Sequence, residues 1–367
     1  MSNNRIYYPI QQVLIKGDTD GTYNPVHGLQ SVSTTTNFNL VQAYEIGQIS
    51  IYDNIEDIPD IQVTLNKVLD GYLPIYCLAT TDATTPTLVD RANQKCFINL
   101  GIFDESSTSA VGTPIGQMEA SGLYVNSVRY NFPKDGNFNE EVTLVGNSKV
   151  WKGDSKLVDA SAAAWAVSLS TSGYFAGSDV PLATAGIDRR ENLLLTTSSG
   201  STDVNGAVLD PACTILPPDV AGVGSNGVNN LTITSRAHLN NISVSVNLNR
   251  ESITELGRKG PYFRNPTFPV EVSTEIEITA TSGDLISATE NGIISSASGN
   301  LRDRTIRVAT TEGTKIYCGL KNKLQSVNYG GGDAGGGTVN VSYSFVTFND
   351  FTVIHSQEEH SVGYLIN

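Results

Sequence analysis

The chain has 367 residues, 37 of them acidic and 23 basic, giving a formal net charge of -14. An acid excess of this size argues against a protein that neutralises the phosphates of nucleic acid, which requires a basic surface. No apolar run approaches the roughly 20 residues needed to span a bilayer, and the first residues lack the basic and apolar parts of a signal peptide. The expectation is a soluble protein that starts out in the cytoplasm and is long enough for two cores with connections.

Residues 1–28 read as an N-terminal arm in which Arg5 to Ile15 can add a strand. Asp18-Thr-Asp-Gly21 opens like a calcium loop, but the twelfth position is Leu29 and the sixth Tyr23. A bidentate Glu and a Gly would be needed there, so a solvated hairpin turn is expected. The chain then repeats itself. Residues 29–47 return without a gap at 239–257, a shift of 210, with Leu29, Ser33, Asn37, Asn39, Glu45 and Gly47 recurring as Leu239, Ser243, Asn247, Asn249, Glu255 and Gly257. Random pairing at average composition gives about one identity, and the shift also aligns Tyr52 with Tyr262 and Pro59 with Pro269. The pattern is that of an old duplication.

Each copy reads as strand, short helix, strand. Val32, Thr34, Thr36 and Phe38 alternate with polar residues, as do Ile242, Val244, Val246 and Leu248, which is the period of a half-buried strand. Asn39 and Asn249 stand where a helix N-cap belongs and Gly47 and Gly257 at its left-handed stop, predicting about two helical turns between them. A strand follows each proline: Ile61, Val63 and Leu65 in the first copy, and Val270, Val272, Ile276 and Ile278 against Glu271, Glu275 and Glu277 in the second. A third matched piece, Asn126-Ser-Val-Arg-Tyr130 and Gln325-Ser-Val-Asn-Tyr329, lies at a shift of 199. A turn-rich stretch and a returning strand follow it in both copies.

The expected organisation is therefore an arm at 1–28, a β domain at 29–155, a linker or insertion at 156–236, a second β domain at 237–355 and a tail at 356–367. Part of the intervening segment is expected to pack on one half or on a neighbouring subunit, because a structureless loop of that length is unusual in a compact domain. Its Gly222-Val-Gly-Ser-Asn-Gly227 matches GxGxxG, but Pro217-Pro218 precede it and a probable strand follows, the wrong context for a dinucleotide site.

Catalytic and metal signatures are missing from the sequence. Cys77, Cys96, Cys213 and Cys318 show no CxxC spacing and read as buried thiols. His27, His238, His355 and His360 show no HExxH or HxH spacing. His27 and His238 suit structural positions near a strand edge, and His355 and His360 read as part of an exposed polar tail, with metal binding together with Glu358 and Glu359 as the alternative. No enzyme activity and no cofactor are expected. Arg250, Arg258, Lys259 and Arg264 form the one local basic cluster, while their first-copy counterparts, Leu40, Gln48, Ile49 and Asn54, are not basic. They are candidates for a contact between subunits, since arginine favours planar pairing with carboxylates at interfaces. An ordinary solvated patch is the alternative.

Gln30-Ser-Val through Glu45-Ile-Gly47, Ile58-Pro-Asp-Ile-Gln-Val through Leu69-Asp-Gly71, Arg250-Glu-Ser-Ile-Thr-Glu-Leu-Gly257 with Pro261-Tyr-Phe-Arg264, and the closing Ser-Val-x-Tyr hairpins resemble the tail tube, or major tail, proteins of tailed bacteriophages. The resemblance covers both halves and not the segment between them. It implies a mainly β fold of two tandem sandwich or barrel domains, each with a short flanking helix, and subunits that form stacked rings around a channel for genomic DNA, which passes without specific binding. It further implies a virion location after synthesis in a bacterial host, other tail proteins as partners at the tube ends, and no membrane. Three chains would complete a pseudo-sixfold ring; a true hexamer is the alternative. Glu271, Glu275 and Glu277 are candidates to line the channel, and outward-facing positions are the alternative. Asp135 and Gly136, with Gly331, Gly332, Asp333, Gly335 and Gly336, are candidates for contacts between stacked rings; a disordered solvent loop is the alternative. A neck, terminator or decoration protein of the virion, or a carbohydrate-binding or adhesive β-sandwich, are the other functional readings.

Overall fold

The computed structural model describes residues 5–19, 23–105, 110, 114–153, 186–193, 238–257, 260–279, 303–304, 306–310, 312–331 and 337–355. In chain order the strands of the first half are β1 (Gln11–Gly17), β2 (Asn24–Pro25), β3 (Leu29–Asn37), β4 (Leu40–Tyr44), β5 (Ile51–Glu56) and β6 (Asp60–Val68). Two short helices, α1 (Ile75–Ala79) and α2 (Leu88–Ala92), precede β7 (Lys95–Ile102), β8 (Gly116–Pro133), β9 (Asn139–Gly146) and β10 (Ser148–Gly153). The second half contains β11 (His238–Asn247), β12 (Glu251–Ile253), β13 (Phe263–Asn265), β14 (Glu271–Thr279), β15 (Arg307–Ala309), β16 (Lys315–Tyr317), β17 (Lys323–Gly330), β18 (Asn340–Phe348) and β19 (Thr352–Ile354). The protein is mainly β, as expected.

One antiparallel path of eight strands runs β3-β6-β9-β8-β11-β14-β18-β17. Its first four strands and its last four repeat the same order, so each half contributes the same four-stranded unit. The irregularities repeat as well. The β3–β6 register slips between Leu29 and Ser31 and the β11–β14 register between Leu239 and Asn241, positions 210 apart. β8 slips against β9 between Val125 and Ser127, and β17 slips against β18 between Leu324 and Ser326, positions 199 apart. A bulge places an unpaired residue in the ladder and is a fixed feature of a fold. Its recurrence at both shifts ties the sequence repeat to a structural one.

The predicted short helices are absent. Residues 40–56 form the β4–β5 hairpin, and β12 pairs antiparallel with β13 in the second copy. Val41, Tyr44, Ile51, Tyr52 and Ile55 are β-branched or aromatic and favour strands. Asn39 turns its amide to the carbonyl of Ile58 and to Asp60 rather than capping a helix, and Asn249 adopts a left-handed backbone at φ 42°. Gly47 and Gly257 are left-handed, with φ 107° and 84°, but they serve the hairpin connections.

β8 is long enough to serve two sheets' worth of partners. Its first part pairs with β7 and β10 and its second with β9 and β11. Gly122, at φ 63°, lies at the changeover, where an L side chain would strain the backbone. The expected N-terminal strand forms at β1, which pairs with β7 and β2.

The two faces of the eight-stranded path differ sharply. One carries Val63 and Leu65 of β6, Leu144 of β9, Tyr130 of β8, Val244 of β11, Ile276 of β14 and Tyr343 of β18, all with no exposed surface or nearly none. Burying such side chains stabilises a fold by roughly 1.5–3 kcal/mol each. α1 packs into the same core with all five residues buried. The other face presents polar and charged side chains, among them Thr64, Arg129, Glu141, Ser245, Glu275 and Ser344, with the strand period of two.

Part of the intervening segment packs on both halves. Asp188 donates its amide to Leu69 and accepts at its carbonyl from Phe138, and Leu193 bridges to Thr310. The Asp188 carboxyl is buried beside Glu312; burial first, and the Glu312 charge second, push it well above the usual carboxylate range. Burial would raise Glu312 too, but hydrogen bonding to His355, 3.1 Å away, then the charge of His355, hold it low. His355, expected in an exposed tail, is fully buried; the apolar strand β19 carries the chain inward just before it. His27 is buried and stacked on Tyr72 at 3.8 Å, and Cys77, Cys96 and Cys318 are buried free thiols. Cys213, His360 and the glycine pattern at 222–227 lie outside the described residues.

Candidate assembly interface

The two units meet along β8 and β11. Seven antiparallel pairs join them, from Asn241 opposite Pro133 to Asn247 opposite Ser127. The backbone bonds Lys134 to Asn240 and Leu248 to Asn126, both 2.8 Å, extend the seam at its two ends. Tyr130 lies opposite Val244 and Val128 opposite Val246, and all four are buried.

The β12–β13 hairpin leaves the second unit at this seam and folds over the first. Arg250 donates from Nε to the carbonyl of Val125 at 2.5 Å, from Nη1 to that of Arg264 at 2.8 Å and from Nη2 to that of Ala92 at 2.5 Å. Its guanidinium also stacks 4.8 Å from the centre of the Tyr124 ring. Burial pulls the Arg250 pKa down to about 10, which leaves it charged at neutral pH. Arg264 donates from Nη2 to Asp60 at 2.6 Å and to Asn147 at 3.0 Å. Burial would raise Asp60, but the hydrogen bonds from Asn39 and Arg264 outweigh it and keep the carboxyl low. Phe263 meets the Tyr124 ring edge-on at 5.4 Å. Tyr124, Phe263 and Arg264, with Lys95, Asn147 and Tyr262, line a cavity of about 280 Å³.

The structure therefore places Arg250 and Arg264, two of the candidates for a subunit contact, at a junction within one chain. Arg258 and Lys259 lie outside the described residues. The role of Arg250 was legible only as an asymmetry, since Leu40 stands at its place in the first copy. Tyr124 and Asp60 carried no sequence signal for the seam, because neither is unusual in its own segment.

Glu271, Glu275 and Glu277 share the polar face of β14, opposite the buried Val272, Thr274, Ile276 and Ile278. Glu271 and Glu275 are exposed, and Glu277 accepts from the Asn340 amide at 2.8 Å. Asp135 and Gly136 form the exposed turn between β8 and β9, and Gly331 leaves β17 at the corresponding place in the second unit. Gly332, Asp333, Gly335 and Gly336 lie outside the described residues. Among the described residues no helix is long and apolar enough to cross a membrane and no group of His, Cys, Asp and Glu side chains could hold a metal ion.

No protein-family model and no curated protein sequence matches the chain. Solved structures with some similarity include a chain from the baseplate of the anti-feeding prophage, at 13% identity and a TM-score of 0.33, covering 43% of this chain and 100% of that one. A chain from the sheath-tube complex of an extracellular contractile injection system, PVC, in its extended state has 14% identity and a TM-score of 0.31, covering 42% and 95%. The crystal structure of an Hcp protein gives 11% identity and a TM-score of 0.23, covering 39% and 98%.

Proposed function

We propose that this chain is a structural protein of a phage-type tail, assembling with copies of itself into rings that stack as a tube in the virion. The observation that carries the reading is the eight-stranded path, in which two like units are already joined edge to edge and a strand remains at each end. A unit that joins its own copy in this way is suited to joining further copies, because closing a sheet into a barrel removes its open edges. The sequence resemblance to tail tube proteins points the same way. Three chains would supply six units, the simplest ring that keeps the sixfold character of that family.

In this arrangement the face carrying Glu271, Glu275 and Glu277 lines the channel. Hydroxyl, amide and carboxylate side chains, with acidic residues outnumbering the lone Arg129 among those named on this face, give duplex DNA few phosphate contacts to hold it. Proteins capping the tube would meet its end rings, and the turns at Asp135-Gly136 and after Gly331 would face the next ring. No catalytic chemistry or cofactor is part of this role. Electron microscopy of the purified full-length protein tests the reading. Hollow stacked rings with threefold symmetry and six similar lobes are expected; monomers or compact closed dimers at high concentration would refute it.

A further inference from the structure

β3 and β17 are the two terminal strands of the path. Among the described residues β3 pairs only with β6, and β17 only with β18. Each has a twin that is covered. β3 corresponds to β11 and β17 to the second part of β8, and those twins pair with each other at the seam. The exposed state of the outer pair shows what is missing. Tyr130 is fully buried at the seam, whereas Tyr329, its counterpart, is 59% exposed. Ile242, Val244 and Val246 are buried, whereas Val32, Thr34 and Thr36 are only half-buried.

We infer that β17 of one copy pairs antiparallel with β3 of the next, in the register of the internal seam: Thr34 opposite Tyr329, Thr35 opposite Asn328 and Thr36 opposite Val327. The β4–β5 hairpin then folds over the neighbour's second unit as β12–β13 folds over Tyr124. The occupant is a second copy because the chain itself contains the junction as a template. The contact is head-to-tail, using two different surfaces, and such a contact closes into a ring when its rotation returns to the first copy. This deepens the proposed function and rests on its ring.

The chemistry of this second junction differs from the first, and the residues at the equivalent places agree with one another. Where Phe263 meets Tyr124 within the chain, Asp53 comes to Lys323 between chains, a lysine that already pairs with Asp303 at 2.8 Å in its own chain. Where Arg250 reaches toward Val125, Leu40 approaches Leu324, and Phe348 stands at the position of Asn147. Leu40 and Phe348 are 58% and 53% exposed, and the hairpin further presents Val41, Ile46, Ile49 and Ile55 to solvent. An arginine-held internal junction and an apolar, oppositely charged outer one keep a copy's hairpin from competing for the internal site.

Disulfide trapping tests the register. The Thr35→Cys/Asn328→Cys double variant, oxidised after assembly, should convert most chains into covalent dimers and trimers on a denaturing gel. Either single variant, and the out-of-register pair Thr35→Cys/Lys323→Cys, should stay at monomer mass. Crosslinking by Asn328→Cys alone would show like edges pairing and overturn the inference, as would a double variant that stays at monomer mass. Rings seen by microscopy without the in-register crosslink would sink this junction and leave the ring reading standing. Crosslinked chains without rings would do the reverse.

Discussion

The hydroxyl of Tyr130 donates to Oε1 of Glu140 at 2.7 Å, and both residues have no exposed surface. Glu140 also accepts from the amides of Ile75 and Tyr76, at 2.5 and 3.0 Å, closing the first turn of α1. Burial raises this carboxyl, and the hydrogen bonds from Tyr130 and the two amides oppose the rise. One side chain thus holds the helix to β9 and fixes the ring of the tyrosine that faces Val244 across the seam.

Replacing Glu140 with Ala strands two buried amides and a hydroxyl. An unsatisfied buried group costs about 1–3 kcal/mol, so a loss of about 3 kcal/mol or more is expected. Glu140→Gln, which keeps acceptor oxygen, should lose less. Urea midpoints of the two variants check the order; equal midpoints would show that the amides find other partners.

Arg250 and Arg264 should differ in weight. Arg250→Lys loses the forked geometry needed to reach three carbonyls, with an expected cost of about 2 kcal/mol, since hydrogen bonds to charged groups are worth about 1.5–3 kcal/mol. The Arg264 partner Asp60 has a half-exposed side chain, so Asp60→Asn should cost about 1 kcal/mol or less. Thermal unfolding of both variants decides it, and a larger loss at Asp60 would contradict this ranking.

Asp188 gives a pH dependence of defined sign. Its folded pKa lies above its unfolded one, so the folded state holds an extra proton between the two and stability falls as pH rises through that window. Asp188→Asn should therefore gain melting temperature over the parent at pH 8 and less at pH 5. Because His27 is pulled down to about 4 by burial, its contribution runs the other way, disappearing as pH falls from about 6.5 toward 4. The difference between variant and parent isolates Asp188, and a gain independent of pH would exclude its titration.

The exposed hairpin is expected to matter for assembly and not for folding. Ile46 and Ile49 have essentially their full surface exposed, and surface substitutions away from special features stay within about 0.5 kcal/mol. Ile46→Ser/Ile49→Ser should melt like the parent. Sedimentation at matched concentration should show fewer assembled chains, and unchanged assembly would release the hairpin from that role.

Changing Glu271, Glu275 and Glu277 to Lys should turn the polar face into one that retains duplex DNA. Assembled protein of this variant is expected to bind linear DNA at low salt and release it as salt rises, whereas the parent binds none. Equal behaviour of the two would place these residues away from the channel.

The repeat, its strands and the alternation of β14 could be read from the sequence because a period of two survives duplication when a sheet has one buried face. The hairpins could not. Asn39 and Gly47 satisfy the local rules for a helix start and stop, and the same residues serve a strand connection when the apolar residues between them, Val41 and Tyr44, have a partner strand in Ile51 to Glu56. Arg250 illustrates a second limit. Its charge and its absence from the first copy were visible, but whether its carbonyl acceptors belonged to its own chain depended on β8 crossing to β11, a pairing of strands more than a hundred residues apart. The burial of His355 has a similar origin, since its partner Glu312 lies in a different loop.

The covalent join between the units has an arithmetic consequence. Any ring closed from whole chains contains an even number of units in strict alternation, and half of its junctions form when the chain folds, independent of concentration. A ring of three chains would need only three junctions between molecules where six separate units would need six. The tethered partner meets its site at the high effective concentration of a linked pair.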